Sequence, residues 1–281
     1  MKTTVLIASN KPDKVLKSLA WYKNFDRVVI YCNELDTPEF EAAFQESGIP
    51  LPEIWEHSIV PLFDGQAPLG AIRYYAMETL RRKMGKRDFG ILADDDLGWV
   101  SFYSGKRLPN GAAQYEYPGI AGAKRFSEEV IKTAKIAREN DFQYVANLLN
   151  GRAKNGFKPE RPIRAVYSWS GFFGFFKNSY NPFDPKIGWG ADQVAIFNAV
   201  KKFGLSVLRN DSLVIFYDMK TKRYRKNTGS RDAAIDIIVN RYPDLAMLVE
   251  SQTGTNSKVR FVKLNPKMRN LFKQDVPVEF R

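Results

Sequence analysis

The first 93 residues alternate short apolar runs with helical patterns, and this alternation limits the possible folds more than any other feature of the chain. Val5-Leu6-Ile7-Ala8 reads as a first strand. The turn Ser9–Asp13 then leads into a helical pattern with Val15, Leu16, Leu19 and Ala20 on one side. Ser9 or Asn10 is placed to cap that helix, and Pro12 suits its first turn. Arg27–Tyr31 reads as the second strand, and residues 37–47 as a short amphipathic helix ended by Gly48 and Pro50. A weaker strand or loop over Glu53–Val60 precedes a longer helix at 69–84, with Ile72, Tyr75, Ala76, Thr79 and Leu80 at helical spacing. Asp88–Ala93 is the fourth strand. This β-α-β-α-β-α-β order predicts an α/β fold with a mostly parallel sheet covered by helices on both faces. Ligands of such sheets bind at the carboxyl ends of the strands.

Three consecutive carboxylates, Asp94-Asp95-Asp96, stand at that end of the fourth strand. Crowded like charges repel, and a divalent cation carrying an anionic substrate is one compensation. Hard ions such as Mg²⁺ or Mn²⁺ prefer carboxylate oxygen. A solvated acidic turn is the plain alternative.

Beyond Asp96 the alternation breaks. Gly98–Tyr103 reads as a short strand, and residues 104–123, rich in Gly, Pro and Tyr, as a long loop of the kind that receives or covers a substrate. A helix is expected over Ser127–Asn140 with Ser127 as its N-cap. Phe142–Val145, Ile163–Trp169, Leu205–Leu208 and Leu213–Tyr217 are strand candidates. Gly171–Phe176 reads as a glycine-punctuated strand with its Phe side chains in the core. Gly188-Trp189-Gly190-Ala191-Asp192 then opens a helix from about Asp192 to Phe203, with Asp192 either a catalytic carboxylate or simply the N-cap.

Bulk properties narrow the class. The chain has 281 residues, 20 Phe and 13 Tyr, enough apolar material for a full core. It shows no run near 18 apolar residues, so no transmembrane helix is expected. Cys32 is the single cysteine, which excludes an intrachain disulfide and suits a reducing compartment, here taken as the cytoplasm. A formal charge of +12, from 43 basic and 31 acidic residues, favours polyanionic partners without choosing among them.

Taken together, these residues resemble the GT-A-type glycosyltransferases. The resemblance runs over roughly residues 3–215. Asp94-Asp95-Asp96 matches the family's Asp-x-Asp motif after the fourth strand, and the Gly-Trp-Gly segment with Asp192 matches the acidic residue of inverting members. It implies a single domain with a nucleotide-sugar-binding half (1–97), an acceptor and catalytic half (98–219) of mixed strands, and a basic C-terminal extension (220–281). It further implies a UDP-sugar donor, bound by Ala8, Ser9, Asn10, Lys11, Arg73, Asp94 and Asp95, and a Mn²⁺ or Mg²⁺ ion on Asp94 and Asp96. Arg73, on the helix before the Asp motif, is a candidate to pair with phosphate through its fork of donors, with a plain surface Arg as the alternative. Asp192 is the expected base, with Trp189 and Gly190 on the acceptor side. Many metal-dependent relatives take a third ligand from a His on the C-terminal side. The one His here, His57, precedes the Asp motif, so Asp218 or water is expected in its place.

The segment Lys220–Arg231 carries six basic residues and no acidic one. Lys222, Arg223, Tyr224, Arg225 and Lys226 within it suit contact with a phosphate backbone plus stacking. With the charge, this resembles the DNA-modifying sugar transferases of bacterial viruses, which glycosylate hydroxymethylated pyrimidines in duplex DNA. That resemblance implies a monomer acting on DNA in the host cytoplasm. Two alternatives stay open: transfer to bacterial surface polysaccharide or a lipid-linked acceptor, and a nucleic-acid-binding protein without enzymatic activity.

Overall fold

The computed structural model describes residues 1–59, 69–149, 163–166, 172–188, 190–217, 228–252 and 258–265. Its first half follows the alternation: β1 (Thr3–Ala8), α1 (Pro12–Tyr22), β2 (Arg27–Asn33), α2 (Thr37–Ser47), β3 (Glu53–His57), α3 (Leu69–Lys83) and β4 (Phe89–Ala93). These strands lie in the order β3-β2-β1-β4, all parallel. Every residue of β4 is buried, as a parallel strand covered on both faces requires.

The second half is mixed. It comprises β5 (Leu97–Arg107), β6 (Ala113–Glu116), α4 (Ala123–Glu139), β7 (Tyr144–Leu149), β8 (Ile163–Val166), β9 (Phe172–Phe176), α5 (Ala191–Phe203) and β10 (Val207–Tyr217). The sheet continues β4-β9-β7-β10-β5-β6, with β8 paired to the first half of β10. β9 runs antiparallel to both neighbours, and β7 and β10 return to the direction of β4. The parallel strands therefore all end at one edge. Beyond β10, α6 (Thr228–Arg241) and the hairpin β11 (Ala246–Gln252) with β12 (Lys258–Leu264) complete the described chain.

Two apolar layers sandwich the sheet. One joins α1, α2 and α4 to Val5, Ile7, Ile91, Val100, Phe172 and Ile215. The other joins α3 and α5 to Leu6, Val29, Leu92, Phe173 and Phe175. The aromatic run 172–176 thus serves both layers, its Phe rings alternating across the pleat, and lies in the core as expected.

Several local expectations need correction. The loop expected at 104–123 is largely a β-hairpin, because β5 runs on to Arg107 and pairs with β6. α4 starts at Ala123, and Ser127 is a buried interior residue whose hydroxyl donates to the Lys124 carbonyl rather than capping. Leu205–Leu208 and Leu213–Tyr217 are parts of one strand, β10, carried through an irregularity between Asn210 and Val214. α1 has Lys11 as its cap residue; the Ser9 hydroxyl accepts the Lys11 N–H instead of capping inside the helix. His57 packs against Tyr31, and its Nδ1 accepts the Ile59 N–H.

Candidate active site

The carboxyl edge of the parallel strands gathers most of the expected site. β1 delivers Ala8 and Ser9 there, with Asn10 exposed in the turn beyond. Ser9 donates its hydroxyl proton to Asp95 at 2.5 Å, and Lys14, one turn into α1, lies 3.9 Å from Asp95 and 4.0 Å from Asp96. The turn after β1 and the Asp motif are therefore tied together, and Lys14 is a cation that the strand-and-motif reading missed. Its signal was available: a Lys on the exposed side of the first turn of a helix that follows a ligand-binding strand.

Arg73 holds the centre. α3 packs against β1 and β4, and Arg73 in its second turn reaches the Asp motif. The Arg73 guanidinium is 8% exposed; one terminal nitrogen is 2.7 Å from Asp94 and the other 2.7 Å from Asp192. Its planar fork thus joins a carboxylate of the parallel half to one from the mixed half, 98 positions away in the chain. Arg73 is therefore not a surface residue, and both its terminal nitrogens face protein carboxylates.

α5 brings Asp192. Gly190, with φ of 79°, provides the left-handed turn that starts this helix, and no side chain caps it. Asp192 is the second helical residue, so the plain N-cap reading does not describe it. The segment leading into α5 is seated against α3 at Gly70, whose N–H donates to the Ile187 carbonyl at 2.9 Å. A Cβ at position 70 would overlap the carbonyl oxygens of Asp184 and Ile187, so only glycine permits this approach.

Burial pushes the Asp94 carboxyl up to about 7; Arg73 opposes the shift, and Asp192, Asp96 and Asp95 add to it. Beneath the motif, the Tyr22 hydroxyl donates to the Asp94 carbonyl at 3.5 Å. The Tyr217 hydroxyl, buried at the end of β10, has no hydrogen-bond partner among the described residues. Burial, then Asp94, raises the pKa of both phenols far above the usual tyrosine range. Neither Tyr was singled out from sequence, since each reads as an apolar position.

The donor atoms here are hard oxygens. Among the described residues no group of three His, Cys, Asp or Glu side chains converges as a metal cage. Asp94 and Asp96 remain, and both act on the Tyr217 hydroxyl. One or two carboxylates, with phosphates and waters completing the shell, is how Mg²⁺ is commonly held. The residues fit such an ion, and the charge crowding around Asp94 is what it would relieve. Trp189, Asp218, Lys222, Arg223, Tyr224, Arg225 and Lys226 lie outside the described residues.

No protein-family model matches the chain, and no curated protein matches it. Solved structures do. Glucosyl-3-phosphoglycerate synthase from Mycobacterium tuberculosis, in complex with Mg²⁺ and UDP, aligns with a TM-score of 0.54 at 12% identity, over 96% of this chain and 92% of that one. The same enzyme with Mn²⁺ and UDP-glucose gives 0.52 at 11% identity, over 96% and 91%. At this identity the likeness is one of fold, and it establishes a GT-A-like α/β fold for the chain. No helix among the described residues is long and apolar enough to cross a membrane.

Proposed function

We propose that the protein is a metal-dependent glycosyltransferase that moves a sugar from a nucleotide diphosphate sugar, a UDP-sugar in the first instance, to a carbohydrate or other small-molecule hydroxyl. One observation carries the reading: Arg73 clasps Asp94 and Asp192 together at the carboxyl edge of a GT-A-like sheet. The likeness to a synthase crystallised with UDP-glucose and Mn²⁺ supports the donor and the ion.

In this reading Ser9, Lys11 and Lys14 face the nucleotide side, while Asp94 and Asp96 hold Mn²⁺ or Mg²⁺. When bound, the ion neutralises the charge that grows on the departing diphosphate. Asp192 accepts the proton of the acceptor hydroxyl as its oxygen bonds to the anomeric carbon. The bond from that carbon to the diphosphate oxygen breaks, and the nucleotide leaves with its electron pair. Attack opposite the leaving group inverts the anomeric centre. Arg73 keeps the base and the metal-side carboxylate at a set separation, which is the positional control such a displacement needs.

A second reading gives the same chemistry a different acceptor, a hydroxymethylated pyrimidine in duplex DNA. The charge of +12 and the basic segment at 220–231 favour it. A lipid-linked or surface-polysaccharide acceptor draws on the same charge. The test is UDP release from a panel of UDP-sugars with Mn²⁺, offered either saccharides or hydroxymethylated and unmodified duplexes. Saccharide-stimulated release that disappears in Asp96→Ala supports the proposal. Stimulation by the hydroxymethylated duplex alone moves the assignment to DNA. Full activity of Asp96→Ala in chelator would overturn the metal assignment.

A further inference from the structure

β5 begins one residue past Asp96, and its third residue is Trp99. Trp99 pairs directly with Phe216 on β10, their rings stacked with centroids 5.0 Å apart at 15°, and Tyr117 meets the indole edge-on at 6.5 Å. Leu97, Val100, Phe102 and Ile215 of the same strands point into the layer of α1 and α4. The pleat therefore turns Trp99 and Phe216 to the opposite face, the one on which α3 and α5 carry Arg73 and Asp192. The register shift between Phe216 and Tyr217 sharpens this division, sending Tyr217 toward Tyr22 and leaving Phe216 with the indole. Trp99 keeps 38% of its surface open and Tyr117 61%. Single exposed apolar residues are ordinary, but a rigid aromatic stack beside a carboxylate cluster is not core filling.

Resting on the glycosyltransferase reading, we infer that the open part of the Trp99 indole, backed by the stacked Phe216 ring, is the platform on which a pyranose ring of the acceptor lies. One face of a pyranose presents C–H groups polarised by the neighbouring oxygens, which suits the negative face of an indole. Its rim of hydroxyls both donates and accepts hydrogen bonds, and the charged groups at this edge answer both ways, with Asp94, Asp96 and Asp192 as acceptors and Arg73 and Lys14 as donors. A nucleobase also stacks on aromatics, and the duplex arm of the test separates it from a sugar.

Saturation-transfer difference NMR on the full chain tests this with methyl glucosides, galactosides and mannosides, each with and without UDP and diamagnetic Mg²⁺. At least one glycoside is expected to receive saturation on its C–H face, and Trp99→Leu is expected to weaken that binding roughly tenfold. Trp99→Leu keeps apolar bulk but removes the π-face; an unchanged melting temperature and unchanged UDP saturation show that the fold and donor site survive. Trp99→Phe should retain most of the binding. The platform is overturned if no glycoside is saturated, if Trp99→Leu binds as tightly as wild type, or if a short unmodified duplex takes the saturation through Trp99 instead. Loss of UDP binding in wild type counts against the donor assignment alone, because the glycoside signal is read without UDP as well.

Discussion

The two halves of the sheet reach the same edge by different routes. In β1–β4 each strand runs the same way and is followed by its own helix or turn, so the residues at the edge come from consecutive units: Ser9 after β1 and Asp94–Asp96 after β4. In β5–β10 strand direction is mixed, β9 is inserted between β4 and β7, and the edge residues come from distant parts of the chain. The parallel half crowds its charges locally and answers them locally, with Ser9 and Lys14 on Asp95. Among the described residues, the mixed half contributes Asp192, answered by Arg73 from across the seam. If the proposed function holds, donor anchoring falls to the parallel half and proton transfer to Asp192, and perturbing one half should leave the other's task measurable.

The largest expected effect divides the halves by task. Asp192→Asn keeps the shape but removes the proton acceptor, and it should lower turnover by roughly two to four orders of magnitude while UDP affinity in Mn²⁺ stays near wild type. Calorimetric binding alongside steady-state rates is the measurement. A parallel collapse of UDP affinity would show that the halves do not work independently, and a product that retains the donor's anomeric configuration would remove the inverting assignment.

Next, Gly70→Ala attacks the seam itself. The new methyl meets two backbone oxygens that cannot rotate away, so α3 and the start of α5 must separate. About 3 kcal/mol of stability should be lost in urea unfolding, and turnover should fall on the order of a hundredfold as Arg73 and Asp192 lose register. Stability and rate equal to wild type would mean that the seam tolerates displacement.

A smaller effect tests the parallel half through pH. With Asp94 raised from 3.8 to about 7, the folded protein binds that proton more tightly than the unfolded chain does. This contribution to stability is present at low pH and is lost as pH rises from about 4 to about 7. Metal-free Asp94→Asn lacks the titration, so its melting temperature should gain on wild type by a few degrees across that window. Mn²⁺ should raise the wild-type value most at the alkaline end, where the carboxylate is ionised. A difference between the two proteins that stays constant from about pH 5 to about pH 8 would place the titration elsewhere.

The sequence by itself determined the parallel half almost element by element. A strand buried on both faces must be short and apolar, a surface helix must repeat every three or four residues, and Gly48 with Pro50 must stop one; all are local rules, and α2 and α3 follow them to within a residue. The Asp motif was legible for the same reason, since strand and carboxylates are contiguous. The mixed half obeyed local rules less. The hairpin at β5–β6 was hidden by turn-forming residues that also read as loop, and β10 looked like two strands because Asn210–Ser212 interrupts its apolar run. Ser127 carried a capping residue's chemistry inside a helix. Tertiary structure alone decided that Arg73 faces two carboxylates, that Tyr217 buries its hydroxyl beside the Asp motif, and that Trp99 and Phe216 stack in the open. Each of these depends on which distant strand becomes a neighbour, and strand pairing is set by how two apolar layers close over one sheet, a global packing condition that no window of sequence contains.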